Sequence, residues 1–256
     1  MSQKAKPKAK PQPAGTARPA TQAAAPTNKP QAERTFWRFA LDERWEHTLL
    51  ILSSVVLLLT GLPQKYRSAA WSQQILATPD QVTLVRTIHH IAAIVLTIEV
   101  LYHLGKAIFL LARRKLPGDF LPTIQDVRDA WEMIKYLIFL RKDQPAFGKF
   151  NFEQKITYWF LFFGIGIMVV TGFVLWFPVQ FTQLFPGGIV PAAKLAHSTE
   201  SIVALIFIII WHLYHVHIER LNLSIFTGRL SEEEMRSYHA LEFERLTGEK
   251  ANPEGK

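Results

Sequence analysis

Cysteine is absent from all 256 residues. Disulfides, cysteine-ligated zinc, protein-held iron–sulfur clusters, c-type haem attachment and thiol nucleophiles are therefore excluded. Soft metal ligands are confined to nine histidines and four methionines. Acidic residues are the minority charge, 21 against 29 Lys and Arg, which leaves a formal +8. Residues 1–33 almost lack large apolar side chains and hold no acid before Glu33. Without an apolar run they are not expected to be a secretory signal peptide. A segment rich in Lys, Pro, Ala, Gln and Thr buries no core, so a disordered basic tail is expected there. A nucleophile constellation, a phosphate loop and a metal-hydrolase motif are also missing. The chain is expected to be non-catalytic itself, with any chemistry of its complex in a partner.

What the chain does have is long apolar runs, 49% hydrophobic residues overall, clustered at about 45–63, 87–111, 155–177 and 194–217. About 20 apolar residues cross a hydrocarbon core of roughly 30 Å as a helix. The fold class expected is an all-α membrane protein, a four-transmembrane-helix bundle over residues 34–230. Residues 36–46 mix aromatic and charged side chains, which is interfacial chemistry at the mouth of a span. Between the second and third runs, about 123–140 carries Val127, Trp131, Ile134, Leu137 and Ile138 at helical spacing. An amphipathic helix is expected there, on the membrane surface or under a partner. Residues 231–256 read as a charged C-terminal tail with a short helix at 231–246. Gly164, Gly166 and Gly172 in the third run permit close approach of a helix or a flat ring. No internal repeat is visible.

Charge sets the expected topology. The 112–155 stretch holds nine Lys and Arg, the 64–86 stretch three and the 178–194 stretch one. The positive-inside rule then places both termini and the middle stretch in the cytoplasm, in a multi-pass protein of a bacterial inner membrane. A basic excess in such a protein reports topology and contact with membrane lipids, so no nucleic-acid partner is expected.

The histidines follow this frame. His197 and His212 bracket one apolar run, separated by about 22 Å along a helix axis. Ionisable groups inside a membrane are functional candidates. Depth sorts the histidines into an outer group (His89, His90, His197) and an inner group (His47, His103, His212, His215, His217). Each group can supply a bis-histidine site between helices. Such a site with no open position suits a haem that carries electrons, not one that binds oxygen. Zinc fits less well, since it wants three or four clustered ligands, usually with carboxylate or thiolate. Glu99 and Glu200 are further carboxylates at membrane depth.

Several motifs carry a resemblance. They are Lys149-Phe150-Asn151-Phe152-Glu153-Gln154-Lys155, Tyr158-Trp159, Val170-Thr171-Gly172, Trp176 to Pro178 and Phe185-Pro186. His197, His212-Leu213-Tyr214, Gly228-Arg229-Leu230, His47 after Asp42-Glu43-Arg44, and Arg86-Thr87-Ile88-His89 continue the pattern. Over roughly residues 34–245 the chain resembles the gamma subunit, a di-haem cytochrome b, of membrane-bound formate dehydrogenases. The resemblance implies two b haems, His89 and His197 ligating the outer iron and His47 and His212 the inner one. The family spacing of fourteen residues after His197 lands on Trp211, which does not ligate iron, so His212 is taken with a one-residue shift. His103 follows His89 by the fourteen residues used in cytochrome bc complexes and is the alternative to His47. Asn151 and Gln154 match the family's quinone segment and carry amide groups suited to quinone carbonyls. Asn151 equally reads as a helix N-cap.

The function the resemblance implies is a membrane-anchoring electron-transfer subunit. It would take electrons from an iron–sulfur (beta) subunit, fed by a molybdenum or tungsten catalytic (alpha) subunit, on the periplasmic side. It would deliver them to menaquinone or ubiquinone. The same histidine placement also serves a di-haem cytochrome b of a hydrogenase or another molybdenum oxidoreductase. A haem-free transporter or structural protein is the remaining alternative.

Overall fold

The computed structural model describes residues 34–115, 118–143, 145–219 and 221–251. The basic tail expected at 1–33 lies outside the described residues. A short strand β1 (Thr35–Trp37) leads into α1 (Leu41–Lys65), α2 (Ala70–Ile75), α3 (Pro79–Ala112), α4 (Ile124–Leu137) and α5 (Phe152–Trp176). Then follow α6 (Pro178–Leu184), α7 (Ile189–Phe207), α8 (Ser224–Thr227), β2 (Arg229–Ser231), α9 (Glu232–Tyr238) and α10 (Ala240–Thr247). Two wide π-turns, Ile208–His212 and Tyr214–Ile218, prolong α7.

α1, α3, α5 and the α7 run to Ile218 are long and apolar enough to cross a membrane. α1 packs on α3 and α5 on α7, so the bundle is two helical hairpins laid together. Its outward surface stays apolar, with Leu59, Ile98, Phe163, Val170 and Ile210 all 62–68% exposed. Water would not leave so large an apolar surface uncovered, whereas lipid chains cover it at no cost.

The helices start earlier than the apolar runs that announce them. α3 begins at Pro79, not near 87. Thr78 accepts from the Gln81 amide at 3.3 Å while Gln81 accepts from the Thr78 amide at 3.0 Å, a reciprocal cap ahead of a proline at the first helical position. Polar residues read as connection are thus the first turns of the helix. α5 is opened likewise by Asn151 and Gln154 at 2.8 and 3.2 Å. The stretch joining α1 to α3 shrinks to residues 66–78. There the buried Ser72 hydroxyl donates to the Pro63 carbonyl at 2.6 Å.

α4 ends at Leu137, short of the expected 140. Phe139 takes a left-handed φ of 62°, and the Leu140 amide folds back to the Lys135 carbonyl at 2.8 Å. Met133 joins Phe147 and Phe152 in a small buried cluster, which fastens α4 to the entry of α5. Asp126 pairs with Lys155 at 2.8 Å. Burial pushes the Asp126 carboxyl up, but Lys155 and Thr123 hold it below its ordinary value.

The C-terminal segment, expected as a charged tail with a short helix, is built into the fold. β2 pairs antiparallel with β1, Phe36 opposite Leu230. Gly228 turns the chain at φ 79°, where a Cβ would meet the Phe39 carbonyl at 3.1 Å. Leu230, Met235 and Phe243 form a second cluster against Phe36. The single helix expected at 231–246 breaks at His239. There the buried imidazole donates to the Gly148 carbonyl at 2.9 Å and the Leu241 amide to that of Phe147 at 3.1 Å. This segment closes the end of the bundle at which α1 begins.

Candidate functional site: two histidine pairs

Four histidines meet in two pairs, one near each end of the bundle. His89 of α3 and His197 of α7 stand with ring centres 6.4 Å apart. His47 of α1 and His212, in the first π-turn after α7, stand 6.2 Å apart. Thirteen residues of α1 separate His47 from Thr60, which touches His89, so the two sites lie about 20 Å apart along the helix axis.

The pair at the 89/197 end is held by a device used twice. The Thr60 hydroxyl donates to the Val56 carbonyl at 2.7 Å and lies 2.8 Å from His89 Nδ1. The Thr171 hydroxyl donates to the Ile167 carbonyl at 2.6 Å and lies 3.0 Å from His197 Nδ1. With its proton committed to the helix, each hydroxyl oxygen accepts, so each Nδ1 carries hydrogen and each Nε2 keeps a lone pair for a ligand. Glycine follows each threonine. A Cβ at Gly61 or at Gly172 would sit 3.3 Å from the Cε1 of its histidine, so glycine makes room for each ring. The two hairpins therefore repeat one Thr-Gly/His arrangement, a correspondence not seen in the sequence. The signal was present as a Thr-Gly doublet near the end of the first and third apolar runs.

The pair at the 47/212 end is built differently. His47 Nδ1 is buried and has no hydrogen-bond partner among the described residues. The Phe226 ring packs 6.2 Å from His47, and the Phe226 carbonyl accepts from Arg44. The one-residue shift that the resemblance implies at His212 coincides with a change of helix geometry. A π-turn absorbs one extra residue without breaking a helix, and Ile208–His212 is such a turn. Trp211 is directed to α5, its indole N–H donating to Thr157 at 3.0 Å. His212 takes the position opposite His47.

The other histidines are engaged elsewhere. His103 lies between Glu46 at 2.7 Å and the Tyr158 hydroxyl at 3.0 Å, using both ring nitrogens. Lys106 joins the same Glu46 at 2.8 Å. His90 stacks on Trp176 at 4.0 Å. His215 bonds Glu219 at 2.7 Å and rests against Trp211. Among the described residues the ligand atoms that gather within 4.8 Å of one another are those of Glu153, His215 and Glu219, not those of His212, His215 and His217. Glu200 projects against Gly164, and the Glu99 carboxyl has a buried oxygen with no hydrogen-bond partner among the described residues.

Asn151 is 4% exposed, with its amide committed to the cap and to Glu153 at 3.2 Å. Gln154 also accepts from Arg38 at 3.3 Å. The segment lies beside the 47/212 end, since Glu153 is 3.9 Å from His215.

Comparison with known proteins gives a family and several relatives. The family described as prokaryotic cytochrome b561 matches residues 119–228. The chain is 26% identical over 180 residues to the formate dehydrogenase cytochrome b556(fdo) subunit of Escherichia coli K12, covering 70% of this chain and 78% of the relative. It is 22% identical over 213 residues to the nitrate-inducible cytochrome b556(Fdn) subunit of the same organism, covering 82% and 92%. It is 25% identical over 177 residues to the formate dehydrogenase cytochrome b556 subunit of Haemophilus influenzae, covering 69% and 68%. The likeness carried by the sequence motifs is borne out over most of the chain.

A cytochrome b implies haem b, and the histidine pairs fit it. Two imidazoles sharing one metal at about 2.0 Å each have ring centres about 6.3 Å apart. The observed separations are 6.4 and 6.2 Å.

Proposed function

From this likeness to cytochrome b subunits of formate dehydrogenases, we propose that the chain is the membrane-anchoring electron-transfer subunit of a respiratory formate dehydrogenase. It holds two b haems, His89 with His197 at the outer site and His47 with His212 at the inner one. The observation that carries the reading is the pair of histidine sites, each spaced for one shared metal, at opposite ends of a four-span bundle. Bound haem supplies a one-electron couple at each end. The chain's residues fix where those couples sit: Thr60 and Thr171 orient the outer imidazoles, and the π-turn brings His212 to His47.

Electrons enter at the outer site from a periplasmic iron–sulfur subunit, seated on the connections that hold α2 and α6 and fed by a molybdenum or tungsten catalytic subunit. They leave at the inner site to a membrane quinone beside Asn151 and Gln154. In support, Asn151 and Gln154 cap α5 at the end of the bundle that holds His47 and His212. The basic 112–155 stretch supports a cytoplasmic position for that end in an inner-membrane protein. The match to prokaryotic cytochrome b561 also leaves room for a hydrogenase or another molybdenum enzyme as the complex; the partner that copurifies separates these.

A haem titre with optical spectra before and after dithionite tests the proposal. Two non-covalent b haems per chain are expected. His89→Ala or His197→Ala should remove the outer one, and His47→Ala or His212→Ala the inner one. A titre of one or zero in the unaltered protein rejects the pairing. Loss of the inner signal in His103→Ala with retention in His47→Ala overturns the ligand assignment.

A further inference from the structure

α4 has three sides, and each meets a different surrounding. Asp126, Ala130 and Met133 face the bundle, through Lys155 and the cluster of Met133 with Phe147 and Phe152. Gln125, Arg128, Asp129 and Glu132 form a polar side. Ile124, Val127, Trp131, Ile134 and Ile138 form an apolar side that is 46–76% exposed, and Leu137, at the azimuth of the bundle side one turn beyond Met133, is 63% exposed as well. At about 100° per residue the centres of the three sides fall roughly 120° apart around the helix. Beyond the helix end, Phe139 and Leu140 stand 94% and 75% exposed, followed by Arg141 and Lys142.

We propose that α4 lies in the plane of the membrane boundary and that the occupant of its apolar side is the lipid bilayer. The Asp126–Lys155 pair and the packing of Met133 on Phe152 fasten the helix to the start of α5, so it stays at the depth where that span leaves the hydrocarbon. At that depth a helix has the bundle beside it, acyl chains beneath it and water above it. Three sides spaced as these are match that surrounding. Lys135 lies over the Trp131 ring at 5.8 Å, where its ammonium reaches the headgroup layer while its stem stays on apolar surface. The inference is independent of which group the histidines hold.

The absence of cysteine makes a direct test available, because one introduced thiol labels one position. Val127→Cys and Ile134→Cys probe the apolar side, and Asp129→Cys the polar side of the same helix. Each full-length variant is labelled with an environment-sensitive fluorophore in nanodiscs of phosphatidylcholine and phosphatidylglycerol. Unchanged helical circular dichroism establishes the fold. Nitroxide-bearing lipid should quench the labels at 127 and 134 severalfold more than the label at 129, and aqueous iodide should show the reverse order. Labels at 127 and 134 that iodide quenches as strongly as the one at 129 would overturn the proposal. Protection of 127 and 134 from both quenchers would overturn it too, and would assign the apolar side to a second copy of the chain.

Discussion

Thr60 and Thr171 each meet an imidazole of the proposed outer haem site from the side away from the ligand position. Each accepts a hydrogen bond from an imidazole whose opposite nitrogen is left for metal. Such partners raise the basicity of the ligand and fix its orientation. Thr60→Val and Thr171→Val remove the acceptor while keeping the shape. Both variants should retain the outer haem, with its midpoint potential raised by on the order of 60 mV, a tenfold change for a one-electron couple, as the imidazole becomes a weaker donor. Redox titration followed optically measures this; an unmoved potential would reduce the threonines to packing. His47 has no such Nδ1 partner among the described residues, so the inner site should not respond. The histidines were legible because imidazole is conspicuous in an apolar run. Threonine in a membrane helix is ordinary, and only its distance to a ring gives it a role.

At the scale of elements, the prolongation of α7 is the informative one. Fifteen residues separate His197 from His212, and the wide turn Ile208–His212 absorbs the extra one. Deleting Ile209 should let this turn close to ordinary α-helix, with the histidine still opposite His47. Inserting an alanine after Ile209 should turn it away. The expected haem titres are about two for the deletion and about one for the insertion, on the rule that a single added residue rotates a helix by roughly 100°. Equal titres would show that the turn does not set the register. A π-turn leaves no compositional mark, since Ile-Ile-Ile-Trp suits an α-helix as well. The resemblance exposed the shift only as a mismatch in spacing. The helices also run beyond the apolar spans for a related reason. Reciprocal caps such as Thr78 with Gln81 extend helices through polar residues that an apolar pattern excludes.

For the whole molecule the question is direction across the membrane. On the proposed orientation, with the 47/212 end facing the cytoplasm, quinone reduction there would take protons from the cytoplasm while formate oxidation outside would release one. Turnover should then build a membrane potential. The complex in sealed vesicles with menaquinone, given formate on the outer face, should move a potential-sensitive dye as quinone is reduced. Quinone reduction with a silent dye would place quinone at the 89/197 end. Asn151→Ala and Gln154→Ala should slow quinone reduction several-fold while both haems stay reducible by formate; unchanged kinetics would leave the two amides as the helix cap alone.

Membrane class, the number of spans and the sorting of histidines by depth were determined by sequence alone. Each follows from one-dimensional quantities: the length of apolar runs, the positions of Lys and Arg, and the rise of a helix per residue. The choice among histidines at one depth needed the family resemblance, because depth does not say which rings face each other. Tertiary structure decided what depends on azimuth and on neighbours from other helices. It put His103 between Glu46 and Tyr158, turned Trp211 to Thr157, brought His212 to His47 and set the same Thr-Gly pair beneath two different histidines. A single helix carries no record of which of its faces another will meet, and that meeting is what makes a pair of imidazoles into a site.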